Sequence, residues 1–349
     1  MKKSVISLSL ACAAVGSYAQ SSVEVFGVAD VGLAHLSSST GSGTGASTGG
    51  ANISRLGFRG NEDLGGGLKA GYWLEAGLDI NSGAGKTSGA LSFNRRSTVS
   101  VSGNFGEVRL GRDDSASFLS TLIFDPFLTN GVGGTMSFTM LGAPGTANAI
   151  GGAPIQISNA VSYFLPPDLG GFYGQAQVAF GGQPSTAANS KQGNYEGLRA
   201  GYRQGALNVA FATGKLMGDI AANDLTAKNI GVSYDFGMVK PMFIWATEEK
   251  SFIKITAMQI GLTAPLGAGE LRASYGRYDT ANSSADWNKL AVGYGYNFSK
   301  RTQVYGSYAQ ISNGAAAKKV VTVQGGMTSA ANALGASATG LEVGLRHFF

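Results

Sequence analysis

Enzymatic chemistry needs a nucleophile, an acid–base couple or a metal-ligand set at a recognisable spacing. Here the candidates stand alone. His35 and His347 are the only histidines, and no local spacing relates them as metal ligands. Cys12 is the only cysteine. Gly45-Ala46-Ser47-Thr48-Gly49 spells a nucleophile elbow, but that motif works on a strand-to-helix turn with acid and histidine partners. This copy sits in a Gly/Ser/Thr-rich stretch. Gly85-Lys86-Thr87 resembles the end of a phosphate loop, yet Ile80 stands where the first glycine belongs. These residues argue against an enzyme, a metal site or a cofactor.

What remains is fixed charge, and it is patterned. From Leu68 to Ile80 the even positions are Leu68, Ala70, Tyr72, Leu74, Ala76, Leu78 and Ile80, all apolar or aromatic. The odd positions carry Lys69, Glu75 and Asp79 among Gly71, Trp73 and Gly77. Successive side chains of a strand point to opposite faces, so this is a strand with one wet and one dry side. The same parity turns Arg55 and Arg59 away from Leu56 and Phe58, and Arg199 and Arg203 away from Leu198, Ala200 and Tyr202. Val99 and Val101 set a parity that puts Arg96 on the wet face and Arg95 on the dry one. A β-bulge would move both, because an extra residue shifts the facing of everything beyond it.

The first residues read as an export signal. Lys2 and Lys3 precede an apolar run from Val5 to Val15, and Ser17-Tyr18-Ala19 offers small residues for cleavage. A membrane helix needs about 20 apolar residues, and this run is shorter. The expected division is a signal peptide over 1–19 and one barrel domain over 20–349. Cys12 leaves with the leader, so no disulfide is expected. Without Lys2 and Lys3 the basic count falls from 26 to 24 against 21 acids, too slight an excess to imply nucleic acid.

Glycine is abundant at 54 of 349 residues, proline is scarce at 8, and no apolar run approaches membrane-helix length. Many short strands joined by glycine-rich turns fit this composition. Alternation predicts strands near 22–36, 52–61, 68–80, 91–102, 106–112, 158–166, 171–181, 195–204, 206–216, 228–237, 239–249, 254–265, 269–279, 287–298, 301–312 and 340–349. That is an even number of about ten-residue segments, as tilted membrane strands require. Tight turns such as 204–205, 266–269 and 299–300 alternate with longer loops over 37–51, 113–157 and 313–339. Tyr163, Phe164, Tyr173, Tyr202, Tyr234, Tyr294, Tyr296 and Phe298 sit near strand ends, where a membrane boundary favours aromatic rings. The fold class is all-β, a sixteen-stranded antiparallel transmembrane barrel. Closure follows physically, because an open edge in lipid would leave backbone groups unpaired.

The segments Ser54-Arg55-Leu56-Gly57-Phe58-Arg59-Gly60-Asn61-Glu62-Asp63-Leu64-Gly65-Gly66-Gly67, Asn94-Arg95-Arg96-Ser97 through Gly111-Arg112, Tyr296-Asn297-Phe298-Ser299-Lys300-Arg301-Thr302 and Gly344-Leu345-Arg346-His347-Phe348-Phe349 carry a family likeness. Together they resemble the trimeric general porins of beta-proteobacterial outer membranes, over the whole mature chain. The resemblance implies a homotrimer in outer-membrane lipid and lipopolysaccharide, passing small ions and hydrophilic solutes. It implies an inward-folded third external loop, here 113–157, and a terminal Phe349 read by the barrel-assembly machinery.

The resemblance also implies a pore constriction. Arg55 and Arg95 would form its basic wall cluster, with Glu75 the nearby acid; Arg59, Asp79 and Arg96 join by facing. The family thus assigns Arg95 where parity assigns Arg96, and both stay candidates. Arg112, Asp113, Asp114 and Asp125 bracket the loop's start and are expected to face the cluster. Gln156 stands where the family carries a third arginine, so only weak to moderate anion preference is expected. A barrel lipase or protease would need a partner for His347, an adhesin would conduct no ions, and a sugar channel would need a lumenal line of aromatics.

Overall fold

The computed structural model describes residues 22–86, 89–142, 152–325, 327 and 329–349. The expected leader, with Cys12, lies outside them. Period-two alternation becomes a single antiparallel sheet: β1 (Ser22–Ser38), β2 in two segments (Gly41–Thr48 and Arg55–Gly65), β3 (Leu68–Asp79), β4 (Arg96–Gly103), β5 (Gly106–Asp114), β6 (Gln156–Phe164), β7 (Phe172–Ala179) and β8 (Tyr195–Gln204). It continues through β9 (Leu207–Leu216), β10 (Leu225–Tyr234), β11 (Lys240–Lys250), β12 (Ile253–Leu266), β13 (Gly269–Thr280), β14 (Trp287–Asn297), β15 (Thr302–Asn313) and β16 (Ala338–Phe348). Ala84–Gly85 makes only a two-residue pairing with the end of β3. Both segments of β2 pair with β1, so the ring counts sixteen strands.

β1 also pairs with β16, from Val28 opposite Phe348 to Ser37 opposite Thr339. Every strand therefore has two neighbours and the cylinder closes. The backbone of Phe349 adds two further bonds to Gly27, at 3.0 and 3.1 Å. Closure satisfies every ladder without water, which a lipid-embedded sheet requires.

The two faces separate as alternation dictates. Val99, Phe211, Ile230, Ile260, Leu290 and Val343 stand exposed on the outside. Asn229, Glu248, Gln259, Lys289 and Glu342, on the opposite parity, are buried. Ring pairs Phe172–Tyr202, Tyr234–Phe236 and Tyr296–Phe298 lie at the short-turn end, with centroids 4.9, 4.6 and 5.3 Å apart. Such a girdle suits a membrane boundary. Phe164 and Tyr173 do not belong to it. Phe164 lies under the guanidinium of Arg109, and Tyr173 lies under Arg199 and donates to Asn208 Oδ1 at 2.8 Å. Both rings occupy inward parity positions.

Two loop expectations need correcting. Residues 37–51 are not a long loop: the chain turns at 39–40 and returns as Gly41–Thr48. Glycine and serine rich as it is, that segment borrows its pairing from β1. Residues 49–54 then leave the ladder and are held by Asp30, whose carboxylate accepts from Gly50, Ala51 and Asn52 backbone N–H groups and from the Tyr305 hydroxyl. The third outer connection is 115–155 rather than 113–157, since Asp113 and Asp114 end β5 and Gln156 begins β6.

Candidate functional site

The third connection begins as a helix. Ser115 caps α1 (Ala116–Ile123), its hydroxyl accepting from Phe118 N–H at 3.2 Å. The connection then crosses to inward-facing side chains of the far wall. Asn229 Nδ2 donates to Ser117 O at 2.9 Å, and the Lys289 ammonium donates to Gly134 O at 2.5 Å. Glu248 accepts from Leu141 and Ala153 N–H groups, and Glu342 accepts from Val132 N–H. Phe127, Val132 and Met140 join Tyr278, Trp287 and Ile311 in an apolar cluster between loop and wall. The described parts of the loop, 115–142 and 152–155, therefore bond and pack against inward-facing side chains of the wall.

What the loop leaves open is a cavity of about 510 Å³. Glu75 is its electrostatic hub. Arg95 Nε lies 2.6 Å and Arg55 Nη1 lies 3.1 Å from Glu75 Oε1, and Trp73 Nε1 donates to Glu75 Oε2 at 3.2 Å. Arg96 sits over the Trp73 ring at 4.5 Å, donates to Thr98 Oγ1 at 3.0 Å and approaches Asp113 Oδ1 at 3.8 Å. Both arginines thus reach the lumenal side. Arg96 is the first residue of β4, so Arg95 precedes the regular strand and is free of its alternation. No bulge is needed there.

The register shift lies instead in β5, between Gly111 and Asp113. Arg112 is the residue it displaces, and its guanidinium bonds neutral oxygens, Asn94 O at 2.5 Å and Ser158 Oγ at 2.6 Å. Asp113 and Asp114 line the cavity, which Arg112 does not reach. Gln156 Nε2 donates to Asp114 Oδ1 at 2.8 Å, so the residue in the third-arginine position faces an acid.

Besides Arg112, three further candidates do not line the cavity. Arg59 pairs bidentately with Glu24 at 2.7 and 2.8 Å and stacks on Phe26 and Trp73, nearer the short-turn end. Asp79 pairs with Lys86 Nζ at 2.7 Å, and it is Lys86 that lines the cavity. Asp125 is fully buried and does not face the cluster. It accepts from Thr129 and Thr135 N–H groups at 2.7 and 3.0 Å and from Gln259 Nε2 at 3.1 Å. Its carboxylate folds the loop and fixes it to β12.

Arg109 was not singled out from sequence. It pairs with Glu107 and Asp113 at 2.8 and 2.9 Å and lines the cavity beside Arg96. Its signal was there in the parity of Val108 and Leu110. His35 and His347 pair with Thr44 and Thr302 at 2.7 and 2.9 Å, near opposite ends of the cylinder. Neither approaches a catalytic arrangement with the other.

The sum at the cavity is basic: Arg55, Lys86, Arg95, Arg96 and Arg109 against Glu75, Asp113 and Asp114. A water-filled opening lined this way carries ions by electrostatics rather than by bond chemistry.

Known proteins agree with this architecture. The outer membrane porin protein 32 of Delftia acidovorans is 36% identical, with all of both chains covered. The major outer membrane protein P.IB of Neisseria meningitidis serogroup B is 27% identical, again with both chains fully covered. Among solved structures, the anion-selective porin from Comamonas acidovorans superposes with a TM-score of 0.85 at 34% identity, covering 94% of this chain and 100% of that one. The family model for Gram-negative porins matches residues 6–316, and the chain belongs to that family.

Proposed function

We propose that this outer-membrane porin is a general diffusion channel with weak to moderate anion preference, set by Arg55, Arg95, Arg96 and Arg109. The observation that carries this reading is the sharing of one carboxylate, Glu75, by two guanidinium groups, which leaves a net positive wall. A low-dielectric barrel focuses such a field into the lumen, raising local anion concentration. The anion selectivity stated for the Comamonas acidovorans structure points the same way. Gln156 holds the preference below that of a third cation. Arg112, Asp113 and Asp114 tune it; Arg59 and Asp79 act from outside the narrowest part.

Residues 1–19 serve as an export leader, Phe349 as the recognition end for the barrel-assembly machinery, and the barrel assembles as a homotrimer among outer-membrane lipid and lipopolysaccharide. Support comes from the sequence of the leader and from the terminal Phe349 placed against Gly27. The zero-current potential across a KCl gradient in a planar bilayer tests the central reading. A potential of anion-selective sign is expected, and a cation-selective sign overturns it.

A further inference from the structure

Helix α1 is turned in an unexpected sense for a helix beside water. Its small polar residues Ser117, Ser120 and Thr121 are buried toward the wall, where Asn229 bonds Ser117 O. Leu119 and Leu122 are left partly exposed, and both line the same cavity as Arg55, Arg95 and Arg96. Phe138 and Leu128 lie along that cavity too, Leu128 with 38% of its surface open. One side of the opening is thus a basic ladder and the other an apolar face. Exposed leucines do nothing for inorganic ions or water, and they favour a solute that covers them.

We propose that the constriction selects amphipathic organic anions, carboxylates carrying a short hydrocarbon body, over polar anions of equal charge. The carboxylate meets Arg55 and Arg95, whose shared Glu75 leaves donor capacity, while the hydrocarbon lies on Leu119, Leu122 and Phe138. A guanidinium fork suits a carboxylate bidentately. The inference deepens the anion-preferring reading and rests on it.

Potassium hexanoate and potassium gluconate, matched in carbon number and charge, separate the possibilities when each is added to a KCl bilayer recording. Hexanoate is expected to block the chloride current at several-fold lower concentration than gluconate. Leu119→Ser combined with Leu122→Ser is expected to raise hexanoate's half-blocking concentration about threefold to tenfold, given roughly fourfold per fully desolvated methylene. Gluconate's value is expected to stay. Should the double variant fail to assemble, Leu128→Ser, at an exposed position that lines the same cavity, reads the same effect more weakly. An anion-preferring wild type that both salts block alike, or leucine variants with unchanged hexanoate block, overturns this inference alone. A cation-preferring wild type overturns the reading beneath it.

Discussion

The ring of Phe124 lies directly over Gly231, leaving no room for a Cβ on the strand. Phe124 is 1% exposed, and Gly231 occupies an inward position of β10 between Asn229 and Ser233. The loop thus seats an aromatic side chain in a notch that only glycine provides. Pro126 fits against Gly261 of β12 in the same manner.

Gly231→Val is therefore expected to push the loop away from the wall. Overpacking of this kind costs about 1–3 kcal/mol. Thermal unfolding should occur at lower temperature, and single-channel conductance should change from the wild-type value. Unchanged conductance with unchanged unfolding would show that the loop does not rest on Phe124.

The charge balance at the hub gives a second prediction. Glu75→Gln removes the carboxylate that both Arg55 and Arg95 use, and should strengthen anion preference. Arg55→Ala should weaken it. Unit charges about 8 Å apart interact by about 0.5 kcal/mol in bulk water, which acts oppositely on anions and cations and shifts their ratio roughly fivefold. Screening with a Debye length of about 8 Å trims the effect to about twofold. Zero-current potentials should move in opposite directions for the two variants.

Gln156→Arg should also raise anion preference, by an amount tempered by its neighbour. Gln156 donates to Asp114, so an introduced guanidinium would pair with that acid. Asp114→Asn in the Gln156→Arg background should then increase the preference further. Were the double variant no more anion-preferring than the single one, Asp114 would not contribute to the field in the opening.

Asp125 supports the loop rather than the field. Asp125→Ala strips acceptors from two backbone N–H groups and from Gln259, and leaving buried donors unpaired costs about 1–3 kcal/mol each. Open-channel current noise should rise and the unfolding temperature should fall, while ion preference shifts little. A large selectivity change with quiet current would assign Asp125 to the pore instead.

Removing Phe349 should reduce the yield of assembled barrel, because its backbone completes the seam with Gly27. Molecules that do assemble should conduct as the wild type, since Phe349 is exposed on the outward parity of Val343 and Leu345 whereas Arg55 and Arg95 turn to the lumen and Glu75. The yield of heat-modifiable protein in outer-membrane fractions measures the first, and single-channel recording the second. Wild-type yield from the truncated chain would remove the role given to the terminal residue.

Strand positions and facing were legible in the sequence because a barrel in lipid enforces period two along each strand. Leu68 to Asp79 shows why: every outward residue is apolar, and Trp73 and Glu75 fall on the opposite face without further information. Interruptions of that period were not legible. Arg95 lies just before β4, Arg112 sits at a register shift, and Gly41–Thr48 pairs with β1 despite a composition that reads as loop. Each depends on what a neighbouring strand offers. The family likeness supplied an inward loop, but which wall it leans on was decided by Asn229, Gln259, Lys289 and Glu342, residues far from it in sequence. Asp125 shows the physical reason. From sequence a carboxylate near a constriction looks like part of its field; only folding put Thr129, Thr135 and Gln259 around it and turned it into an anchor. Alternation is local and survives in one dimension, whereas the partner of a buried charge is chosen across the lumen.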